Sequence, residues 1–168
     1  ITPSQIRQDL SYFGEFGQQG YGYKVSYLQQ EISKILGLEK QHTMILIGVG
    51  NLGRAIASYT NFRNRGFDLV GAFDIRDEVI GKKLGELEIK PMSELRSLLK
   101  ENRVDIGVIT VPATQAQQVA DILVEEGIKG IWNFAPLKLE VPAGVIVEHV
   151  HISDSLFALS FRLREIWE

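Results

Sequence analysis

The apolar run Met44 to Ile47 leads without a break into Gly48-Val49-Gly50-Asn51-Leu52-Gly53, and apolar residues at helical spacing follow at Leu52, Ala55, Ile56 and Tyr59. Strand, G-x-G-x-x-G turn and helix, in that order, is the arrangement that a dinucleotide site requires. Gly48 permits the tight turn out of the strand, Gly50 lets the backbone approach a pyrophosphate, and Gly53 lets the helix pack close to the strand. The helix start then turns unpaired N–H groups toward the phosphates. A second apolar run, Phe67 to Phe73, ends in Asp74, about 20 residues beyond the glycines, where a ribose-binding carboxylate belongs. Such a carboxylate accepts hydrogen bonds from ribose hydroxyls and repels a 2′-phosphate, which favours NAD(H) over NADP(H). Arg76 pulls the other way, since an arginine nearby can serve a 2′-phosphate. The plainer alternative for Asp74 is a loop carboxylate that ends a strand.

Beyond Asp74 the alternation continues. Glu88-Ile89 reads as a short strand, and Ser93 to Lys100 as a helix with Leu95, Leu98 and Leu99 inward. Val104 to Val111 reads as a buried strand. Thr114 with Gln117 reads as the cap of a helix whose apolar face is Ala116, Val119, Ala120 and Leu123, stopped by Gly127. Gly130 to Asn133 and Val145 to Val150 complete the strands. Strands alternating with helices predict an α/β fold, a Rossmann-like doubly wound parallel sheet with right-handed crossovers. Ligands of such sheets bind beyond the strand C-termini, here Gly48 to Gly53, Asp74, Thr110 to Ala113 and Asn133 to Pro136. The last two segments are expected at the nicotinamide end; alternatively Pro112 and Pro136 only shape their loops.

Composition narrows the class. The chain has 168 residues, 45% of them hydrophobic, which fits one full domain, or one domain plus a fragment, and is enough for a core. The absence of cysteine excludes disulfides and thiolate metal sites. His42, His149 and His151 do not sit at ligand spacings with carboxylates, so no metal is expected. A net charge of −3 argues against bulk affinity for nucleic acid without excluding a local basic surface. There is no signal peptide and no long apolar run, so a cytoplasmic protein without a membrane segment is expected.

The first residue is Ile1, just before a helix start, which suggests that an N-terminal part is missing. Thr2-Pro3-Ser4-Gln5 reads as an N-cap, a proline at the first helical position and a capping-box glutamine. Ile6, Leu10 and Phe13 form an apolar stripe; Ser4, Gln5, Arg7, Gln8 and Ser11 lie opposite; Gly14 ends the helix. A helix this short cannot bury its stripe alone. Gly14 to Val25 then carries four glycines and three aromatics, which suggests a hairpin. A polar helix followed by a glycine-rich hairpin is the pattern of a winged helix-turn-helix. An ordinary helix and hairpin at a domain edge fits as well, because Arg7 and Lys24 are offset by Asp9 and Glu15.

Ser26-Tyr27-Leu28-Gln29 reads as a second capping box, opening a connecting helix over 26–36 with Leu28, Ile32, Ile35 and Leu36 on one face and Gly37 as its stop. Lys40-Gln41-His42 links it to the glycine-motif domain. At the far end, Ser153 reads as an N-cap with Asp154 and Ser155 in the first turn. Leu156, Phe157, Leu159, Phe161, Leu163, Ile166 and Trp167 then surround most of the helix. Such a helix should be buried on several sides, in its own core or between two subunits. The second is favoured.

Four segments together carry a family resemblance. Gln5-Ile6-Arg7-Gln8-Asp9-Leu10-Ser11-Tyr12-Phe13-Gly14, Gly20-Tyr21-Gly22-Tyr23, the Gly48 to Gly53 turn, and Gly130-Ile131-Trp132-Asn133-Phe134-Ala135-Pro136 closely resemble the Rex family of redox-sensing transcriptional repressors. The likeness covers essentially the whole chain. It implies a homodimer with an N-terminal winged helix, a Rossmann domain and a domain-swapped C-terminal helix. Such a protein binds palindromic operator DNA when NADH is scarce and leaves it when NADH binds. The division implied is 1–38 for part of the winged domain and the connecting helix, 42–150 for the NAD(H)-binding domain, and 151–168 for the terminal helix.

Residue by residue, the resemblance implies a recognition helix with Ser4, Gln5, Arg7, Gln8, Ser11 and Tyr12, and a wing with Phe16, Gly20, Tyr21, Gly22, Tyr23 and Lys24. It implies that Gly48, Val49, Gly50, Asn51, Leu52, Gly53, Asp74 and Ile75 hold the adenosine half of NADH or NAD+. Thr110, Val111, Pro112, Asn133, Phe134 and Ala135 would line the nicotinamide end. Tyr59, on the helix after the glycines, would join a polar switch network at the dimer interface with His151 and Asp154, and Phe157 and Phe161 would pack in that interface. Two departures stand out. Gln18-Gln19 occupies the place of a basic pair in the wing, which lowers the electrostatic share of DNA affinity. His151 occupies the place of an aspartate in the switch network, so either Asp154 substitutes or the switch is wired differently. A His151 paired with a carboxylate would make the switch pH-sensitive.

Two other classes use the same nucleotide fold: a small NAD-dependent dehydrogenase or CoA-binding ligase subunit, and a structural nucleotide-binding module with no DNA role. Against an enzyme, no acid/base set is apparent. His42 precedes the first strand at its wrong end, His149 lies inside the last strand, and Lys138 is the nearest lysine to a strand C-terminus. A sensor without catalytic residues is therefore expected. A structural module leaves the capped polar helix and hairpin unexplained.

Overall fold

The computed structural model describes residues 2–12, 14, 17–18, 22–35, 37, 40–59 and 61–167, without the side chains of residues 17, 18, 22, 23 and 167. The chain divides into two compact units, Ile1–Gln41 and His42–Glu168.

In the first unit, helix α1 spans Pro3–Ser11. Its capping box is formed as expected: Thr2 Oγ1 accepts from the Gln5 amide at 3.3 Å, and Gln5 Oε1 accepts from the Thr2 amide at 3.0 Å. Strand β1 (Gly17–Gln18) pairs antiparallel with β2 (Gly22–Tyr23), giving the expected hairpin. Helix α2 spans Val25–Ile35. The expected capping box at Ser26 is not formed. The helix begins one residue earlier, the Lys24 carbonyl accepts the first helical bond from the Leu28 amide at 3.0 Å, and Ser26 is already inside the first turn. Gly37, with φ +68°, donates its amide to the Lys34 carbonyl at 3.0 Å, the left-handed stop expected there.

The second unit is built on strands β3 (His42–Ile47), β4 (Phe67–Asp74), β5 (Lys83–Leu84), β6 (Leu87–Pro91), β7 (Ile106–Ile109), β8 (Gly130–Asn133) and β9 (Ile146–His149). Their order in the sheet is β5-β6-β4-β3-β7-β8-β9. All neighbours run parallel except β5 and β6, a small antiparallel hairpin at one edge. The chain moves outward from β3 in one direction, returns, and moves outward in the other. The strand order therefore reverses between β3 and β7, and in open α/β sheets that point leaves a ligand crevice at the strand C-termini.

Helices α3 (Asn51–Ala57), α4 (Asn61–Asn64), α5 (Leu95–Glu101) and α6 (Ala113–Glu125) connect the strands. Strand β3 explains why its sequence reads as a continuous apolar run. Ile45 and Ile47 enter one buried cluster, with Leu95 and Leu99 of α5 and Ala116, Val119, Ala120 and Leu123 of α6. Met44 and Leu46 enter the other, with Ala72, Val108 and Ile89. A parallel strand covered on both faces has no polar side to alternate with.

Three expectations about element ends need correction. Helix α3 ends at Ala57 with Ser58 as its cap, so Tyr59 lies beyond the helix and packs edge-on against Phe62, ring centroids 4.8 Å apart. Strand β7 covers only Ile106–Ile109 of the expected 104–111. Helix α6 starts at Ala113 after Pro112, without a side-chain cap. Thr114 is thus inside the helix, and Gln117 instead clasps the loop at Glu140, accepting from its amide at 2.9 Å and donating to its carbonyl at 2.8 Å.

Helix α7 (Asp154–Trp167) follows Ser153, whose carbonyl accepts from the Leu156 and Phe157 amides at 3.0 and 3.1 Å. Within the single chain it is not buried. Leu156, Phe157, Leu159, Phe161 and Ile166 are all more than half exposed. Among the described residues, no helix is long and apolar enough to cross a membrane.

Candidate functional site

The cleft at the switch point has a volume of about 670 Å³. Gly48, Gly50, Asn51, Leu52, Asp74, Ile75, Arg76, Thr110, Val111 and Pro112 line it, together with Met92 and the α6 residues Gln115, Gln118, Val119 and Ile122. The glycine turn, Asp74 and the end of β7 are thus brought together as the sequence implied.

Each glycine of the motif answers a different constraint. Gly48 has φ +93°, and a Cβ there would lie 2.8 Å from Val111 Cγ1 and 2.9 Å from the Thr110 carbonyl oxygen. Gly53 has no room at all: a Cβ would fall 2.1 Å from the Gly48 carbonyl oxygen. At Gly50 a Cβ would meet nothing within 4 Å, so this position opens into the cleft. Gly48 and Gly53 hold the turn, and Gly50 keeps its surface bare for a ligand.

Thr110 locks the turn from the neighbouring strand. Its hydroxyl donates to the Gly48 carbonyl at 2.6 Å, and its amide donates to the Ile47 carbonyl at 2.9 Å. Asp74 locks it from the other side. Oδ2 accepts from the Val49 amide at 2.7 Å, and Oδ1 accepts from the Ile75 and Arg76 amides at 2.8 and 3.0 Å. The Arg76 guanidinium donates Nε to Oδ1 at 3.1 Å and Nη2 to Oδ2 at 3.0 Å. Burial opposes the charge on Asp74, which is only 5% exposed. The hydrogen bonds from Arg76 and Val49 outweigh that cost and hold its carboxyl at about 2.

Other expected site residues lie elsewhere. Asn133 is fully buried and serves its own turn, with Oδ1 accepting from the Ala135 amide at 3.0 Å and Nδ2 donating to the Leu137 carbonyl at 2.9 Å. Its Nδ2 also lies 3.1 Å from His149 Nδ1. Phe134 packs edge-on against Trp132, with centroids 4.6 Å apart. Asn133, Phe134 and Ala135 are not in the cleft lining. Val49 and Gly53 are buried beneath it. The rings of His151 and His149 stack at 6.3 Å, and the His151 carbonyl accepts from the Asp154 amide at 3.1 Å. Among the described residues, no group of acidic residues and histidines forms a metal site.

Sequence reasoning missed Met92 and the α6 wall. The signal is present in the sequence: Gln115, Gln118 and Ile122 recur at helical spacing with Val119, which belongs to the apolar face and reaches the cleft as well. In the first unit, Ser4, Arg7, Gln8 and Ser11 share one exposed face of α1, and Tyr12 and Lys24 are exposed. Gln5 is occupied by the capping box, Arg7 Nε donates to the Pro3 carbonyl at 3.3 Å, and Ser11 Oγ donates to the Gln8 carbonyl at 2.6 Å. Phe16, Gly20 and Tyr21 lie outside the described residues.

A family model for the CoA binding domain matches residues 39–137. Fold and cleft together define a nucleotide-binding protein of the Rossmann type. The redox-sensing transcriptional repressor Rex of Clostridium acetobutylicum is 52% identical over 166 residues, covering 99% of this chain and 78% of that protein. The chain belongs to the Rex family of redox-sensing transcriptional repressors. Among solved structures, RSP in complex with β-NAD+ and operator DNA matches with a TM-score of 0.90 at 52% identity, over 98% of this chain and 76% of that one. RSP in complex with β-NADH matches with a TM-score of 0.88 at 48% identity, over 98% and 77%.

Proposed function

We propose that this chain is a redox-sensing transcriptional repressor that takes NADH or NAD+ in the switch-point cleft and operator DNA through its first unit. The observation that carries the reading is the convergence of a bare Gly50 and a buried Asp74 on one cleft. The membership in the Rex family supports the DNA half of the reading, as does an RSP complex that holds both NAD+ and operator DNA.

In this reading, Gly48 to Gly53 hold the pyrophosphate, Asp74 and Ile75 the adenosine ribose, and Thr110, Val111 and Pro112 the nicotinamide end. Asn133, Phe134 and Ala135, at and just beyond the end of the neighbouring strand β8, border that end. When bound, the cofactor supplies a redox state to be read: oxidised nicotinamide carries a positive charge that the reduced ring lacks. Val111 and Pro112 offer that ring an apolar wall, and burying an unpaired charge there is unfavourable. The cleft therefore favours the reduced form. Closing on it shifts the balance between two arrangements of the subunits, and differential affinity is all that such control needs.

The DNA surface is the exposed face of α1, with Ser4, Gln5, Arg7, Gln8, Ser11 and Tyr12, and the hairpin with Lys24. Segments 1–38, 42–150 and 151–168 then serve DNA reading, NAD(H) binding and dimerisation. The apolar residues exposed on α7, Phe157 and Phe161 among them, are covered by a second copy of the chain, and Tyr59, His151 and Asp154 lie at that seam. Spacing between the two recognition helices sets the fit to a palindromic operator. The protein acts as a sensor and not as an enzyme, in the cytoplasm where DNA and NAD(H) meet. His42 supports this: it opens β3 at the end away from the cleft, its Nδ1 3.6 Å from Asp105 Oδ2.

Calorimetric titration with NADH, NAD+ and CoA tests the reading. NADH should bind most tightly and without turnover. Tightest binding of CoA, which shares the adenosine and pyrophosphate, would favour the function after which the family model is named.

A further inference from the structure

Donors from the chain itself already saturate Asp74. A carboxylate offers about four acceptor positions. The Val49, Ile75 and Arg76 amides and the two guanidinium nitrogens of Arg76 occupy them all. These are five donors on about four positions, so a ribose hydroxyl gains a place on Asp74 only if two of them leave. The three amides are fixed by the glycine turn and the end of β4. The guanidinium is the one side-chain donor, its side chain is 44% exposed, and it lines the same cleft. Its other edge faces Glu78, with Nη1 3.8 Å from Oε1, so it has an acidic neighbour to fall back on when it releases Asp74.

We propose that Arg76 determines specificity at the adenosine end: it competes with the ribose hydroxyls of NAD(H) for Asp74, and it partners a 2′-phosphate when one is present. The inference rests on reading the cleft as the NAD(H) site. For a ribose with free hydroxyls, Arg76 must be displaced from a two-pronged ion pair, which weakens binding. For a ribose carrying a 2′-phosphate, the same guanidinium gains a bidentate acceptor that offsets the repulsion by Asp74. Arg76 thus narrows the preference for NAD(H) over NADP(H) that Asp74 alone would impose.

The test is titration of the wild type, Arg76→Met and Arg76→Lys with NADH and with NADPH, alongside melting temperatures. In R76M, NADH should bind about twofold to fivefold more tightly, the scale of one partly exposed ion pair, and NADPH more weakly by a similar factor. R76K, which keeps the charge without the planar fork, should shift the ratio of the two affinities in the same direction by less. An unchanged or lower preference for NADH in both variants overturns the role of Arg76. Absence of NADH binding to the wild type overturns the reading of the cleft itself, so the two failures are separable.

Discussion

The Val49 amide donates to Asp74 Oδ2 at 2.7 Å, tying the glycine turn to the end of β4 across 25 positions of sequence. Asp74 therefore has a structural duty besides any contact with ribose. Its carboxyl is held at about 2, below the unfolded value of 3.8. A depressed carboxyl stabilises the fold above the unfolded value and loses that contribution as pH falls through the folded one. Asp74 should thus contribute about 2 kcal/mol that fades between roughly pH 4 and pH 2. Urea unfolding across that range should show the loss in the wild type and a flatter profile in D74N. An identical acid slope in D74N would refute the assignment.

Two glycines of one motif should behave oppositely. Gly53→Ala places a Cβ 2.1 Å from the Gly48 carbonyl oxygen and should destabilise by about 1–3 kcal/mol or more, the range for overpacking. Gly50→Ala meets no atom and has φ −74°, so its melting temperature should hold while NADH affinity falls at least about tenfold, or ~1.4 kcal/mol. Thermal melts and titrations of both variants decide the matter. A G50A protein that binds NADH normally would mean that the ligand does not approach this backbone.

How far these residues were legible in the sequence depends on how local their signals are. The turn and Asp74 follow directly on apolar strands, so their order alone implied the cleft. The α6 wall and the pairing of Arg76 with Asp74 were harder to see. The first hides behind a stronger apolar periodicity. The second is a pairing that only the folded end of β4 creates. Both misread caps, at Ser26 and Thr114, came from polar residues that resemble N-caps although a helix can begin one residue before them. Asn133 ends a strand on the binding edge, which points to a ligand residue, and the structure adds a duty that the sequence does not show: its side-chain amide closes its own turn. Helix α7 reads as apolar on most sides, yet its described residues are exposed in the single chain apart from a half-buried Leu163.

That exposed helix makes the oligomeric state testable. Phe157 and Phe161 are 70% and 65% exposed and stand one turn apart. If a second copy buries them, the double substitution to Asp should weaken the dimer by about 100-fold or more, from the lost burial of two aromatic side chains. Sedimentation across a concentration series gives the dissociation constant. An unchanged constant would place the interface elsewhere.

On the α1 face, Arg7→Ala should lower operator affinity and reduce the slope of log affinity against log salt by about one if it contacts a phosphate. NADH affinity should stay the same, since Arg7 and the cleft belong to different units. Equal losses for both ligands would argue against two separate sites.

The most direct test of redox sensing is to titrate the operator complex of the native protein with NADH and, separately, with NAD+, following DNA release by fluorescence anisotropy. NADH should release the DNA at concentrations where NAD+ leaves it bound. Release by both at the same concentration, or NADH binding with the DNA retained, would contradict a repressor that reads the NADH to NAD+ ratio.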